Sequence, residues 1–305
     1  MRRAALAAVL AALATLAGVA RAADPLPAVA TIQPLGLVLR ELGGERVAVA
    51  VLVPPGASPH TFEPQPSDVR SLVHARLVLE VGGGFDGWAH ALFAAAAARP
   101  ERLTLLDLPG LDPLPAVAGA HVDAAPAGAA QRLDPHAWLD PIRVRDALVP
   151  ALAAKLTALD PPGRTHYEAS RDALVQRLGA LDAEIRSALA GHGRHFLAFH
   201  GAWHYFAQRY DLAEVGVIEE APGEEPTPRE LGALARNARD AGVSAILIEP
   251  QLSPRIAQML ARDLGVSVVT VDPNGDPSDP ARASYAGLMR WNAHAFARAL
   301  GGAAP

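Results

Sequence analysis

The chain has 305 residues, half of them hydrophobic and 19% charged, the balance of a globular rather than a disordered protein. Its formal net charge is −5, with Lys155 as its single lysine and no basic run, which argues against a nucleic-acid partner. There is no cysteine, which excludes disulfides, thiolate metal sites and a lipid-modified cysteine.

The chain opens MRRAALAAVLAALATLAGVARA. Arg2 and Arg3 form a basic start, Ala4 to Val19 an apolar run, and Ala20-Arg21-Ala22 a small-residue cleavage pattern. Residues 1–22 therefore read as a cleavable secretory signal peptide, the apolar run being short for a membrane anchor. Its removal takes away Arg2, Arg3 and Arg21 and no acid, lowering the charge from −5 to −8. A periplasmic location is expected.

Residues 23–160 then alternate strand-like and helical segments. AVATI (28–32) precedes a helix over Pro34 to Leu42, and RVAVAVLV (46–53) leads into a loop. A helix starting at Pro66, the strand LVLEV (77–81), a helix from Phe85 and the strand LTLLDL (103–108) follow. This rhythm predicts a parallel sheet flanked by helices. Residues 109–133, rich in Ala, Pro and Gly and without periodicity, read as a mobile surface loop.

Asp160-Pro161-Pro162-Gly163 punctuates the chain, and residues 161–190 read as one long linking helix. Tyr167, Leu174, Leu178, Leu181, Ile185 and Leu189 fall along a single stripe of it. Residues 191–305 form a second α/β lobe, with strands at HFLAFH (195–200), EVGVI (214–218), SAILIEP (244–250) and VSVVTVD (266–272). Helices are expected at Ala202 to Arg209, Pro228 to Ala241, Pro254 to Leu264 and Ser284 to Leu300. The fold class is α/β: two lobes, each a parallel sheet flanked by helices, bridged by one rigid helix.

In open α/β sheets, ligands bind beyond the carboxyl ends of the strands. His60 lies in the loop after strand 46–53, His200 ends strand 195–200 and Asp272 ends strand 266–272. His136, in DPHAWLDP, stands just before a helix that starts near Pro141. Three imidazoles and one carboxylate, two from each half, could thus converge on the cleft between the lobes, and such a set suits tetrahedral Zn²⁺.

The stretches PPGASPHTFEPQPSDVRSL, DPHAWLDP, LAFHGAWHYFAQRYDL and AILIEPQLSP…VVTVDPNGD occur in the order and rough spacing of one family. The chain resembles the periplasmic solute-binding proteins (cluster A-I) of zinc and manganese ABC importers over nearly its whole mature length. The resemblance implies His60, His136, His200 and Asp272 as the metal ligands. It further implies zinc as the cargo, because manganese and iron binders of the family carry Glu where this chain has His200. A manganese- or iron-binding member of the same family is the alternative.

Two features depart from the family pattern. The 109–133 loop carries a single histidine, His121, and two acids, Asp112 and Asp123, where many zinc members have a His- and acid-rich segment. His204 also stands where relatives often have a small residue, and it reads as a packing residue rather than a ligand. Glu63, three residues after His60, resembles the family's acidic position near the first ligand and is expected to support it from outside the coordination shell. Trp138 and Trp203 are expected to wall off water. Glu219, Glu220, Glu224 and Glu225 read as a solvated acidic loop.

The implied partners are a membrane permease and its ATPase, with a periplasmic zinc metallochaperone as a further donor, and the protein is expected to be monomeric. An enzyme is not expected. The pair His200/His204 lacks the glutamate of a zinc hydrolase, since Gly201-Ala202-Trp203 lies between them. Gly82-Gly83-Gly84 is too short a signal for a phosphate loop.

Overall fold

The structure, a computed structural model, describes residues 24–95, 99–116, 133–219 and 225–301. The expected signal peptide, most of the 109–133 loop with His121 and Asp123, and Glu220 and Glu224 lie outside the described residues.

The first half contains β1 (Leu26–Ala30), α1 (Gln33–Gly43), β2 (Val47–Val51), α2 (Pro66–Val73), β3 (Leu77–Glu80), α3 (Gly87–Ala95) and β4 (Glu101–Thr104). A further helix opens at Pro141–Arg143, passes through a π-helical turn at Val144–Leu148 and continues as α4 (Val149–Leu159). The second half contains β5 (His195–His200), α6 (His204–Tyr210), β6 (Ala213–Glu219), α7 (Pro228–Ala241), β7 (Ala245–Ile248), α8 (Arg255–Leu264), β8 (Ser267–Thr270) and α9 (Tyr285–Ala299). Between the halves runs α5 (Arg164–Leu189).

Both sheets are four-stranded and parallel, with orders β2-β1-β3-β4 and β6-β5-β7-β8, so the two halves wind identically. In this winding the strand order reverses between the first and third strands of each half, leaving a crevice at their carboxyl ends. Thr31 and Val81 flank that crevice in the first sheet; His200 and Glu249 flank it in the second. Interior strands such as Leu77–Glu80 and Ala245–Ile248 are buried on both faces, as parallel sheets require.

One expected strand is cut short. LTLLDL pairs only through Thr104 and then turns as a 3₁₀ segment, Leu105–Asp107. The neighbours Leu105 and Leu106 are both buried, at 0% and 4% exposure. A strand would send them to opposite faces, whereas the turn lets both enter the core.

The 26 residues of α5 span about 40 Å. Its buried residues are Tyr167, Leu174, Leu178, Leu181, Ile185 and Leu189, the stripe read from the sequence. That stripe packs on α1, α4 and α9, so one helix contacts both halves. The largest cluster of buried apolar side chains accordingly runs without a break from Leu26 through α5 to Phe296.

Polar ties also cross between the halves. Trp138 Nε1 donates to the Pro273 carbonyl at 2.8 Å, and Tyr285 Oη donates to the Trp138 carbonyl at 2.7 Å. Tyr205 Oη donates to the Asp134 carbonyl and accepts from the Leu114 N–H. The buried carboxylate of Asp140 accepts from the Ile142 and Arg143 N–H groups at the start of the helix and pairs with the Arg209 guanidinium from α6. Among the described residues, no helix is long and apolar enough to cross a membrane.

Candidate metal centre

Three of the four predicted ligands meet. His60, His136 and His200 each offer a nitrogen within 4.8 Å of the others, and they form the group suited to a metal ion among the described residues. The ring centroids are 5.4 Å apart for His60 and His136, 4.8 Å for His60 and His200, and 5.1 Å for His136 and His200. Two nitrogens of the set, His136 Nε2 and His60 Nε2, approach to 3.3 Å.

Each ring is delivered differently. His200 is the last residue of β5 and is therefore held by the sheet itself. His136 sits at a tight turn where Asp134 Oδ1 accepts both its backbone N–H, at 2.9 Å, and its ring Nδ1–H, at 2.8 Å. His60 lies in the loop between β2 and α2, pinned where Trp88 Nε1 donates to the Pro59 carbonyl and Phe62 packs edge-on against Trp88.

The carboxylates beside the rings decide which nitrogens remain for an ion. His136 Nδ1 is engaged by Asp134, and His200 Nδ1 lies 2.8 Å from Glu249 Oε1. Both histidines therefore present Nε2, and both carry the carboxylate partner that fixes tautomer and ring orientation in metal sites. Asp134 and Glu249 are buried, at 1% and 3% exposure. Neither was singled out in the sequence, although both lie in motifs quoted there: Asp134 opens DPH and Glu249 lies in IEP.

These carboxylates act against burial. Burial lowers the pKa of His136, and the hydrogen bond and charge of Asp134 offset this only in part. Burial would lower His200 as well, but the charge and hydrogen bond of Glu249 outweigh it, and the pKa of His200 is raised. The two imidazoles thus titrate apart although their rings touch.

The wall of the site is aromatic. Phe85 packs edge-on against His60 at 4.8 Å and against His136 at 5.9 Å, and Trp138 lies 5.1 Å from His136. Trp203 packs instead on Phe206 and Phe296 inside the second half. Phe85 is aimed by the turn Gly82-Gly83-Gly84, all at positive φ. A Cβ on Gly82 would come within 2.3 Å of Thr104, so only glycine fits there. The turn holds no phosphate cradle, because the Val81 and Gly82 N–H groups donate to buried Asp86, which also accepts from Thr31.

His60 is only partly buried, and its side of the site opens into a depression lined by Phe62, Glu63, Gly84, Phe85 and Trp88. Glu63 is exposed on the loop. His204 begins α6 and is not in the three-histidine group.

Asp272 is buried just past the end of β8, and its backbone is clasped by the Asn292 side chain through two hydrogen bonds of 2.7 Å. Its Oδ1 accepts from the Asn274 and Gly275 N–H groups and its Oδ2 from Arg282 at 2.6 Å. It is outside the three-histidine group.

Residues 28–299 match the family described as "Zinc-uptake complex component A periplasmic". The chain belongs to this family. It is therefore a metal-binding solute-binding protein of an ABC importer and not an enzyme. It is 28% identical to the high-affinity zinc uptake system protein ZnuA of Paracoccus denitrificans, across 95% of this chain and 96% of that protein. It is also 28% identical to the manganese-binding lipoprotein MntA of Halalkalibacterium halodurans, across 76% of this chain and 73% of that protein. Among solved structures it resembles ZnuA at 31% identity and a TM-score of 0.80, covering 91% of this chain and all of that one. A zinc-bound deletion mutant of ZnuA is matched at 30% identity and a TM-score of 0.78, over 92% of this chain and all of that one.

Proposed function

We propose that this protein captures Zn²⁺ with high affinity outside the cytoplasmic membrane and hands it to an ABC permease, which a separate ATPase drives. The observation that carries this reading is the group His60, His136 and His200, gathered within 4.8 Å, with the Nδ1 atoms of two rings bonded to buried carboxylates. Neutral imidazoles suit Zn²⁺ better than Mn²⁺ by donor type, and the order of divalent-ion affinities places Zn²⁺ above both Mn²⁺ and Fe²⁺.

In this reading the three Nε2-side nitrogens take the ion and Asp272 supplies a fourth, oxygen ligand. Glu63, exposed beside His60, supports that ligand from outside the coordination shell. The protein acts as a monomer, exported by a cleaved signal over residues 1–22, and takes zinc from solution or from a metallochaperone. Residues 23–160 and 191–305 serve as two lobes joined by a helix over 161–190.

Metal analysis of the protein purified from the periplasm, followed by competition titration of the apo-protein with Zn²⁺ and Mn²⁺, tests the reading. Zinc is expected in the purified protein and as the tighter ligand, with zinc lost through dialysis in His200→Ala. Tighter Mn²⁺ binding, or zinc retained in His200→Ala, would overturn it.

A further inference from the structure

Arg282 occupies a position the ligand set does not explain. Its side chain is only 17% exposed and donates to Asp272 Oδ2 at 2.6 Å. It is fixed from three other directions: Asp279 accepts from its Nε at 2.8 Å, Asp276 lies 3.9 Å away, and its guanidinium stacks over Trp291 at 5.1 Å. A guanidinium held this way belongs to the frame around Asp272 and is not a floating surface charge.

The lone pairs of Asp272 are correspondingly committed. Oδ1 already accepts two backbone N–H bonds, and Oδ2 accepts a charge-assisted one from Arg282. Whatever Asp272 gives an ion comes from the remaining lone pair of an oxygen whose charge Arg282, shared with Asp276 and Asp279, offsets in part. Zn²⁺ tolerates that loss because imidazole nitrogens satisfy most of its coordination. Mn²⁺, which depends on anionic oxygen donors, does not.

We propose that Arg282 sets the metal preference of the site, holding Asp272 as a weak fourth ligand so that the three histidines dominate and zinc is favoured over manganese. This rests on the zinc-binding reading above. It makes Arg282 a specificity-determining residue that acts through Asp272 without touching the ion.

The test uses the full-length protein and titrates Zn²⁺ and Mn²⁺ separately against a competing chelator, for the parent and for Arg282→Gln, Arg282→Lys, Asp272→Asn and the double variant Arg282→Gln/Asp272→Asn. Loss of one charge-assisted bond from Asp272 is expected to tighten Mn²⁺ binding by about tenfold in Arg282→Gln while Zn²⁺ binding shifts by less than about threefold. Arg282→Lys is expected to keep the parent preference, and the double variant to lose the gain. The Co²⁺-loaded form of Arg282→Gln is expected to show weaker visible absorption than the parent, as the freed carboxylate raises the coordination number, a signature that looser packing alone would not produce. In Asp272→Asn, which leaves Arg282 in place, Zn²⁺ affinity is expected to fall by less than about tenfold.

An unchanged Mn²⁺ to Zn²⁺ ratio in Arg282→Gln would overturn the proposal. So would a gain that survives in the double variant, or a zinc loss above about tenfold in Asp272→Asn. Such failures with zinc still lost in His200→Ala would remove only the role of Arg282, whereas zinc retained in His200→Ala would remove the underlying reading.

Discussion

His200 and Glu249 lie at the ends of adjacent parallel strands and meet at 2.8 Å between the imidazole Nδ1 and a buried carboxylate oxygen. Strand β5 ends in the histidine, and the residue just beyond β7 supplies the acid, so the parallel pairing of the two strands brings both side chains to the crevice where the strand order reverses. The carboxylate engages Nδ1 and leaves Nε2 as the nitrogen that can take an ion.

Glu249→Gln should therefore weaken zinc binding without removing a ligand. Loss of an outer-shell carboxylate costs about tenfold to a hundredfold in metal affinity, and Asp134→Asn should do the same through His136. Competition titration against a chromophoric chelator reads both. Unchanged affinity in both variants would deny the carboxylates an orienting role.

His204, though only four residues from His200, lies outside the cluster. His204→Ala should shift the free energy of zinc binding by no more than about 0.5 kcal/mol, the usual scale for a side chain away from any special feature. Isothermal titration of the apo-variant measures it, and a loss comparable to that of His60→Ala would return His204 to the ligand set.

Zinc binding needs neutral imidazoles, so affinity should fall on acidification. The sign follows from the two buried rings. His136 has a lowered pKa and is already neutral, whereas His200, raised by Glu249, holds its proton to a higher pH than an ordinary histidine at about 6.5. Affinity should begin to drop as the pH falls through the raised value of His200, losing about tenfold per pH unit for one proton released per ion. Glu249→Gln should move that onset to lower pH. An onset unmoved by the substitution would assign the titration to another group.

Glu214 supplies a pH dependence of stability that is independent of the metal. Its Oε2 is buried with no hydrogen-bond partner among the described residues. Burial, reinforced by the charges of Asp134 and Glu249, pushes its pKa up to about 8. An acid raised in the folded state keeps a proton that the unfolded chain has released, so the folded protein loses stability as pH rises from the ordinary carboxylate range to about 8. Glu214→Gln should remove this slope, and its advantage in apo-protein melting temperature over the parent should widen between about pH 5 and pH 9. A constant difference across that range would contradict it.

The bonds between the halves, from Trp138 to Pro273, Tyr285 to Trp138 and Arg209 to Asp140, together with the continuous core along α5, oppose rotation of one half against the other. Metal removal should accordingly change loop geometry and leave the overall dimensions nearly constant. Small-angle scattering of apo and zinc-loaded protein should give the same radius of gyration. Expansion on metal loss would instead require a hinge.

Much of the fold was legible in the sequence because its signals are local. Strand and helix periods, proline starts and the six-residue stripe of α5 depend only on which side chains face the core. LTLLDL misled because a run of apolar residues fits a strand or a turn that buries both neighbours equally well, and only the pocket awaiting Leu105 and Leu106 decides between them.

The site divides in the same way. His60, His136 and His200 were legible by their places at or after strand ends and in recognisable motifs, and the protein family followed from those motifs. Tertiary structure alone revealed the partners: Asp134 and Glu249 behind the rings, Phe85 in place of Trp203 as the aromatic wall, and Arg282 on Asp272. Sequence determines which groups can bind a metal, since donor chemistry belongs to each residue. Their orientation and available charge depend on contacts between residues far apart in the chain, 49 positions for His200 and Glu249, which exist only once the sheets have closed.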